Sequence, residues 1–148
     1  MKQEFIDLGL PSGNLWATEN EVAENGQPLY ATFDEAVERY GENLPTREDW
    51  QELLDNVPHL WDKERNGLLF VARNGKELFL PAMGFRYEAS IYNVQLVGFY
   101  WSATPVVLQN GEKYAYKMYF DQYEVYAESI EHLCYGLSIR LIKKGGKQ

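Results

Sequence analysis

The sequence predicts an α+β domain, with two helices in the N-terminal half and short antiparallel strands joined by long loops in the C-terminal half. Three observations lead there. Apolar residues recur at helical spacing after Thr32 and Thr46 and show no such stripe beyond Pro58. From Pro58 onward the pattern changes to strand-like alternation, with polar loops and an Asn-Gly turn between strands. The 148 residues carry no internal repeat or linker, so one domain over 1–148 is expected.

The opening FIDLGLPSGNLWAT reads as two extended pieces around a Pro-Ser-Gly turn, with Ile6, Leu8, Leu15 and Trp16 as core candidates. In the first helix Phe33, Ala36, Val37 and Tyr40 fall at i, i+3, i+4 and i+7, and Thr32 with Glu35 makes a capping box. Thr46 caps the second helix, and Glu48 and Asp49 meet the positive end of its dipole. Trp50, Leu53, Leu54 and Val57 form its stripe, and Pro58 closes it. LLFVARNGKELFL reads as a hairpin turning on Asn74-Gly75 as a two-residue type I′ loop. That turn pairs Arg73 with Lys76, Val71 with Leu78 and Leu69 with Leu80, with Phe70 and Phe79 on the opposite face, so the hairpin is expected between two layers. The remaining strands are GFYWSA, KYAYKMYF, YEVYA and YGLSIRLI. In the last, Leu137, Ile139 and Leu141 alternate with Ser138 and Arg140, the pattern of one buried face.

A net charge of -8 argues against nucleic acid, whose affinity for proteins depends on Lys and Arg neutralising phosphates. The basic tail, Lys143, Lys144 and Lys147, reads as a solvated end. No run reaches the roughly 18 apolar residues of a membrane span, so no membrane insertion is expected. Glu4 and Asp7 stand where a signal peptide needs its apolar stretch, which leaves either residence inside the producer or a leader already removed.

Catalytic chemistry finds little support. Cys134 is alone, which excludes an intrachain disulfide, a Cys-rich zinc site and a two-cysteine redox centre. His59 and His132 lie in no metal-ligand spacing and read as satisfied or solvated. His132 and Cys134 can share a strand face, yet no orienting partner or oxyanion motif accompanies them, so Cys134 reads as a half-buried thiol. The groups Asp34/Glu35/Glu38, Glu48/Asp49/Glu52 and Glu128/Glu131 fall on helix starts or surface loops. No catalytic residue, metal or cofactor is expected, and the 15% aromatic share points instead to contact with a ligand.

Six strings, DLGLPSGNLWAT, LPTREDWQELL, LFLPAMGFR, SIYNVQLVGFYWSATP, YAYKMYF and YGLSIRLI, together resemble the Fibrobacter succinogenes major paralogous domain family, in order and over nearly the whole chain. That family is similar to formylglycine-generating-enzyme-like domains, and the resemblance implies a C-type lectin-like fold. It also implies what is missing: the paired cysteines of the formylglycine chemistry, the histidine-carboxylate iron sites of related members, and the calcium-and-sugar strings of animal C-type lectins. What it leaves is a rigid scaffold that displays loops, as in the variable proteins of diversity-generating retroelements, with a location outside the cell, at a cell surface or on a phage.

Between the framework-like strings MGFR, YNV, GFYWSAT, YAY and YGLSIR lie YEAS, QLV, PVVLQNGEK and DQYEVYAESIEHLC, the segments where the resemblance places variation. Val106, Val107 and Leu108 are odd for a loop: each, if exposed, forgoes roughly 1.5–3 kcal/mol of burial, so either a partner or the core covers them. Leu96 and Val97 lean to the core, while Tyr92, Asn93, Phe99, Tyr100, Trp101 and Ser102 read as scaffold. The expected ligand-binding residues are Tyr87, Glu88, Gln95, Leu96, Val106, Val107, Leu108, Tyr116, Tyr123, Tyr126 and His132, above a scaffold held by Trp50, Trp101, Phe79 and Ile139. The expected function is binding of a protein or surface glycan without catalysis. Two other readings stay open: a structural or adhesin-type module that packs on a sister subunit, and an oxidoreductase relic using Cys134.

Overall fold

A computed structural model describes residues 3–146. The expected α+β class holds. Two α-helices, α1 (Phe33–Tyr40) and α2 (Arg47–Asn56), precede most of the strands. Both start at Thr capping boxes, Thr32 with Glu35 and Thr46 with Asp49, because Ser or Thr at the N-cap and an acid three residues on satisfy each other's amides.

Strands β1 (Phe5–Asp7) and β2 (Leu15–Ala17) pair antiparallel around the Pro-Ser-Gly turn, and β11 (Ile142–Lys143) joins the other edge of β2. A second sheet runs β3 (His59–Asp62), β4 (Gly67–Val71), β5 (Glu77–Pro81). A small hairpin is made by β6 (Phe85–Tyr87) and β7 (Ser90–Tyr92). The largest sheet has β9 (Lys113–Phe120) in the middle, flanked by β8 (Gly98–Val107) and β10 (Val125–His132).

The β8–β9 pair of that sheet is largely covered on both sides because its strands alternate two kinds of apolar partner. Tyr100, Met118 and Phe120 join Trp16, Trp50, Leu53, Phe70 and Leu80 in one core cluster. Phe99, Trp101 and Ala115 join Phe33, Ala36, Leu137 and Ile139 in another. The tryptophans lock the layers through their indole N–H groups, Trp50 to the Trp101 carbonyl at 3.2 Å and Trp101 to the Ala31 carbonyl at 2.7 Å.

Several expectations are corrected. The β4–β5 hairpin pairs Leu68 with Leu80, Leu69 with Phe79 and Phe70 with Leu78, one residue out of the expected register. Its loop has three residues: Ala72 N–H bonds the Lys76 carbonyl, and Gly75 sits at φ +88° as the left-handed residue after a type I turn. The shift sends Leu68, Phe70, Leu78 and Leu80 into the core and leaves Leu69, Val71 and Phe79 half-covered, so the hairpin has one buried face rather than two. Val37 is exposed: from α1, Phe33 and Ala36 are buried in the second cluster and Tyr40 packs half-buried against it.

The segment expected as the last strand is buried on both sides. Ser138 and Arg140 are as inaccessible as Leu137 and Ile139, since the chain threads between other elements, bridging Ala31, Arg86 and Tyr100 instead of lying on a sheet surface. PVVLQNGEK is not a loop either: β8 runs on through Val107, and only Leu108–Glu112 turns, with Gly111 in the same left-handed position as Gly75. Glu128 and Glu131 lie in strand β10 rather than in a loop. The basic tail is tied down, with Lys144 Nζ 2.8 Å from Asp49 and Gly145 N–H on Asn14 Oδ1; Lys147 lies outside the described residues. No helix among the described residues is long and apolar enough to cross a membrane.

Candidate ligand-binding face

Phe85 and Tyr87 alternate along β6 and so share a face. Two backbone hydrogen bonds of 2.8 Å between Arg86 and Gly136 pin this hairpin to the final segment. Gly84, at φ +67°, makes the bend that starts it; a Cβ there would run into the Tyr92 carbonyl.

From this hairpin a continuous tract of rings spreads over the sheet. Phe85 stacks on Phe99 at 4.6 Å with planes 8° apart, and also meets Tyr92 at 5.5 Å and Tyr135 at 5.8 Å. Tyr87 lies 4.7 Å from Tyr135, which in turn neighbours His132, and His132 packs on Tyr114 at 4.5 Å. On the other side Phe99 meets Tyr119 at 5.6 Å, and Tyr119 stacks on Tyr126. The inner ring Phe99 is buried, while Tyr87 (39%), Tyr92 (44%) and Tyr126 (49%) keep much of their surface in water.

Carboxylates edge the tract. Burial, together with a 2.6 Å hydrogen bond donated to Asp121, pushes the Tyr119 phenol up to about 12. The charge of Glu88 holds the Tyr87 phenol above its usual range, and the neighbouring Glu124 carboxylate does the same for Tyr126. Lys117, buried in the sheet, places its ammonium 3.5 Å from the Phe99 ring centroid and 2.7 Å from Glu131. Burial pushes its pKa down, and the Glu131 carboxylate opposes that shift.

Of the expected contact residues, Tyr87, Tyr126 and His132 belong to this tract, and Glu88 sits at the β6–β7 turn beside it. Tyr123 is 83% exposed at the β9–β10 turn. Gln95 and Leu96 follow β7 in an exposed loop: Leu96, at 63% exposure, is not core, and Val97 is half-buried against the second cluster. Tyr92 and Asn93, expected as scaffold, are exposed, since β7 and the loop after it are open to water along their length.

Tyr116 does not join the tract: it shares a face of β9 with Tyr114, but its ring lies under the Arg47 guanidinium at 5.4 Å, at the start of α2. Val106, Val107 and Leu108 lie at the far β8–β9 end, with Val107 66% exposed. Cys134 is exposed in a turn after β10, not half-buried on a strand with His132. Phe79, expected beneath the face, is half-buried under Arg65 instead.

Sequence reasoning missed Phe85, Tyr114, Tyr119 and Tyr135. The i, i+2 spacing of Phe85 to Tyr87 was the available signal for the first. Two clefts, of about 580 and 480 Å³, flank residues 18–31; none of the expected contact residues lines either. Among the described residues no three His, Cys, Asp or Glu side chains gather in a group that could hold a metal ion. No family model, curated protein or solved structure matches the chain.

Proposed function

We propose that this chain is a non-catalytic ligand-binding domain that recognises a protein or surface glycan through the ring tract running from Tyr87 to Tyr126. One observation carries the reading: stacked rings lie over the buried Phe99, and their outermost members stay accessible to water. Rings held from below lose little entropy on binding, and large amphipathic side chains with hydroxyls give both area and hydrogen bonds. The scaffold is read as C-type lectin-like, of the kind found in the Fibrobacter succinogenes major paralogous domain family, with the domain acting outside the cell or on a phage.

The test is an array of glycans and cell-surface proteins probed with the wild-type chain and a Tyr87→Ala/Tyr126→Ala variant in parallel. The expected result is a ligand whose affinity falls by roughly 2 kcal/mol, about thirtyfold, in the variant. A ligand held equally by both proteins refutes the assignment. Diversification by a retroelement is checked separately, in the DNA downstream of the gene; absence of a near-copy differing at adenines would rule it out.

A second reading, assembly with a sister subunit, draws on the exposed Ile91, Val94 and Leu96. Light scattering at high concentration decides it, because a strict monomer is incompatible with it. The relic-enzyme reading predicts turnover that Cys134→Ala abolishes.

A further inference from the structure

The larger of the two clefts, about 580 Å³, is lined by one side of α1, by residues 28–31 and by Arg86 of β6. Glu35, Glu38 and Arg39 stand at i, i+3 and i+4, on the side of α1 opposite its buried Phe33 and Ala36. Arg86 falls between Phe85 and Tyr87 on β6 and so points away from the ring tract. Ala23, Pro28, Leu29 and Tyr40 give the cleft its apolar wall.

The charges in this cleft are not matched to one another. Among the described residues no salt bridge joins Glu35 or Glu38 to Arg39 or Arg86, although Arg47, Arg65, Lys117 and Lys144 each bond a carboxylate elsewhere in the fold. Glu35 is committed to the capping box, where it accepts the Thr32 amide at 2.8 Å. Arg86 is held in place by two backbone bonds of 2.8 Å with Gly136 and by its Nη2, which donates to the Tyr30 carbonyl at 3.0 Å. That one bond leaves the rest of its guanidinium donors for another acceptor. The Arg39 guanidinium lies 5.4 Å from the Tyr40 ring centroid. Two guanidinium groups and the Glu38 carboxylate therefore line one cleft with no counter-charge bonded to them.

We infer that this cleft takes a small zwitterion, a free amino acid or dipeptide with an apolar side chain, its carboxylate held by Arg39 and Arg86 and its ammonium by Glu38. Guanidinium groups suit a carboxylate because their donors match its two oxygens. A simple anion would meet Glu35, Glu38 and the chain's charge of -8, and a simple cation would meet the two arginines. A molecule with both charges and no net charge escapes both penalties. The volume falls within the roughly 300–1,000 Å³ of small-molecule sites, and the apolar wall gives an apolar side chain a place to leave water. None of the lining residues belongs to the ring tract, so this is a second site, and its fate is independent of the first.

The probe is a panel of the free amino acids and of dipeptides of apolar residues, titrated into the ¹⁵N-labelled full chain and followed by NMR. The expected result is an apolar member that shifts the amides of residues 28–31, 35–40 and 86. For that member, the N-acetyl form, which lacks the ammonium, and the C-terminal amide, which lacks the carboxylate, should each bind about tenfold more weakly. Arg39→Gln should weaken the parent compound by about fivefold, while Arg73→Gln, the same charge change at the β4–β5 turn, should alter it by less than about twofold. Glu38→Gln should weaken the parent by about fivefold and leave its N-acetyl form within about twofold.

A panel with no member that shifts these amides overturns the inference. So does a parent bound no more tightly than either of its modified forms, a comparison that needs no variant to fold. Equal losses in Arg39→Gln and Arg73→Gln would reduce the effect to overall charge and overturn it as well.

Discussion

Arg140 holds a guanidinium out of water with no carboxylate bonded to it. Its Nε donates to Asn20 Oδ1 at 2.9 Å, Nη1 to the Ala17 carbonyl at 3.2 Å and Nη2 to the Phe79 carbonyl at 2.8 Å. The planar fork thus ties the final segment to β2, to β5 and to the loop after β2. Arg140→Lys keeps the charge but cannot reach three acceptors, and should cost on the order of 1–3 kcal/mol, read from the urea midpoint. Alternation in YGLSIRLI correctly separated Leu137 and Ile139 from Ser138 and Arg140, but it could not reveal that the second face is also covered, because that cover comes from residues far away in the chain.

Tyr119 supplies a pH prediction. Its phenol is raised from 10.0 to about 12 by burial and by Asp121. Below pH 10 the folded and unfolded chains both keep this proton. Between about pH 10 and 12 the unfolded chain gives it up first, so this group's contribution to stability is lost as pH rises through that window. Asp121→Asn removes the negative charge while its Oδ1 still caps the Tyr123 and Glu124 amides. Ultraviolet titration should then show one tyrosine ionising earlier; an unchanged curve would contradict the assigned cause.

Among the elements, the two Asn-Gly hairpins show where sequence reading reaches its limit. The dipeptide suits both a two-residue I′ loop and a three-residue loop with a left-handed glycine, and the strands shift by one residue between them. At Asn74-Gly75 the three-residue form wins because it puts Leu68 opposite Leu80 and Phe70 opposite Leu78, with all four in the core. Gly75 and Gly111 both sit at φ +88°, so Gly75→Ala and Gly111→Ala should each cost about 1–2 kcal/mol in thermal or urea unfolding. The helices and their starts were legible, since a Thr N-cap and a 3.6-residue stripe are local signals, although the stripe placed Val37 inward and it is exposed. The extension of β8 through Val107 was not: Pro105 reads as a strand breaker, yet β8 is an outer strand of its sheet and bulges between Trp101 and Pro105, which accommodates it.

For the whole molecule, two apolar clusters grip the β8–β9–β10 sheet from either side and leave the ring tract standing at the margin of the second. Tyr87 and Tyr126 were legible as surface candidates, because tyrosine offers area and a hydroxyl at low entropy cost, and both keep much of their surface in water. Their union into one tract depends on Phe85, Phe99, Tyr119 and Tyr135, which meet only once β6, β8, β9 and the turn after β10 are brought together. The other expected residues are spread, with Tyr116 under Arg47 and Val107 at the far end of β8. The most direct measurement is calorimetric titration of the best array ligand into wild type, Tyr87→Ala/Tyr126→Ala and Val107→Ala, each first shown to keep the wild-type urea midpoint. The account predicts about thirtyfold weaker binding for the tyrosine variant and little change for Val107→Ala; full affinity in the tyrosine variant would contradict it.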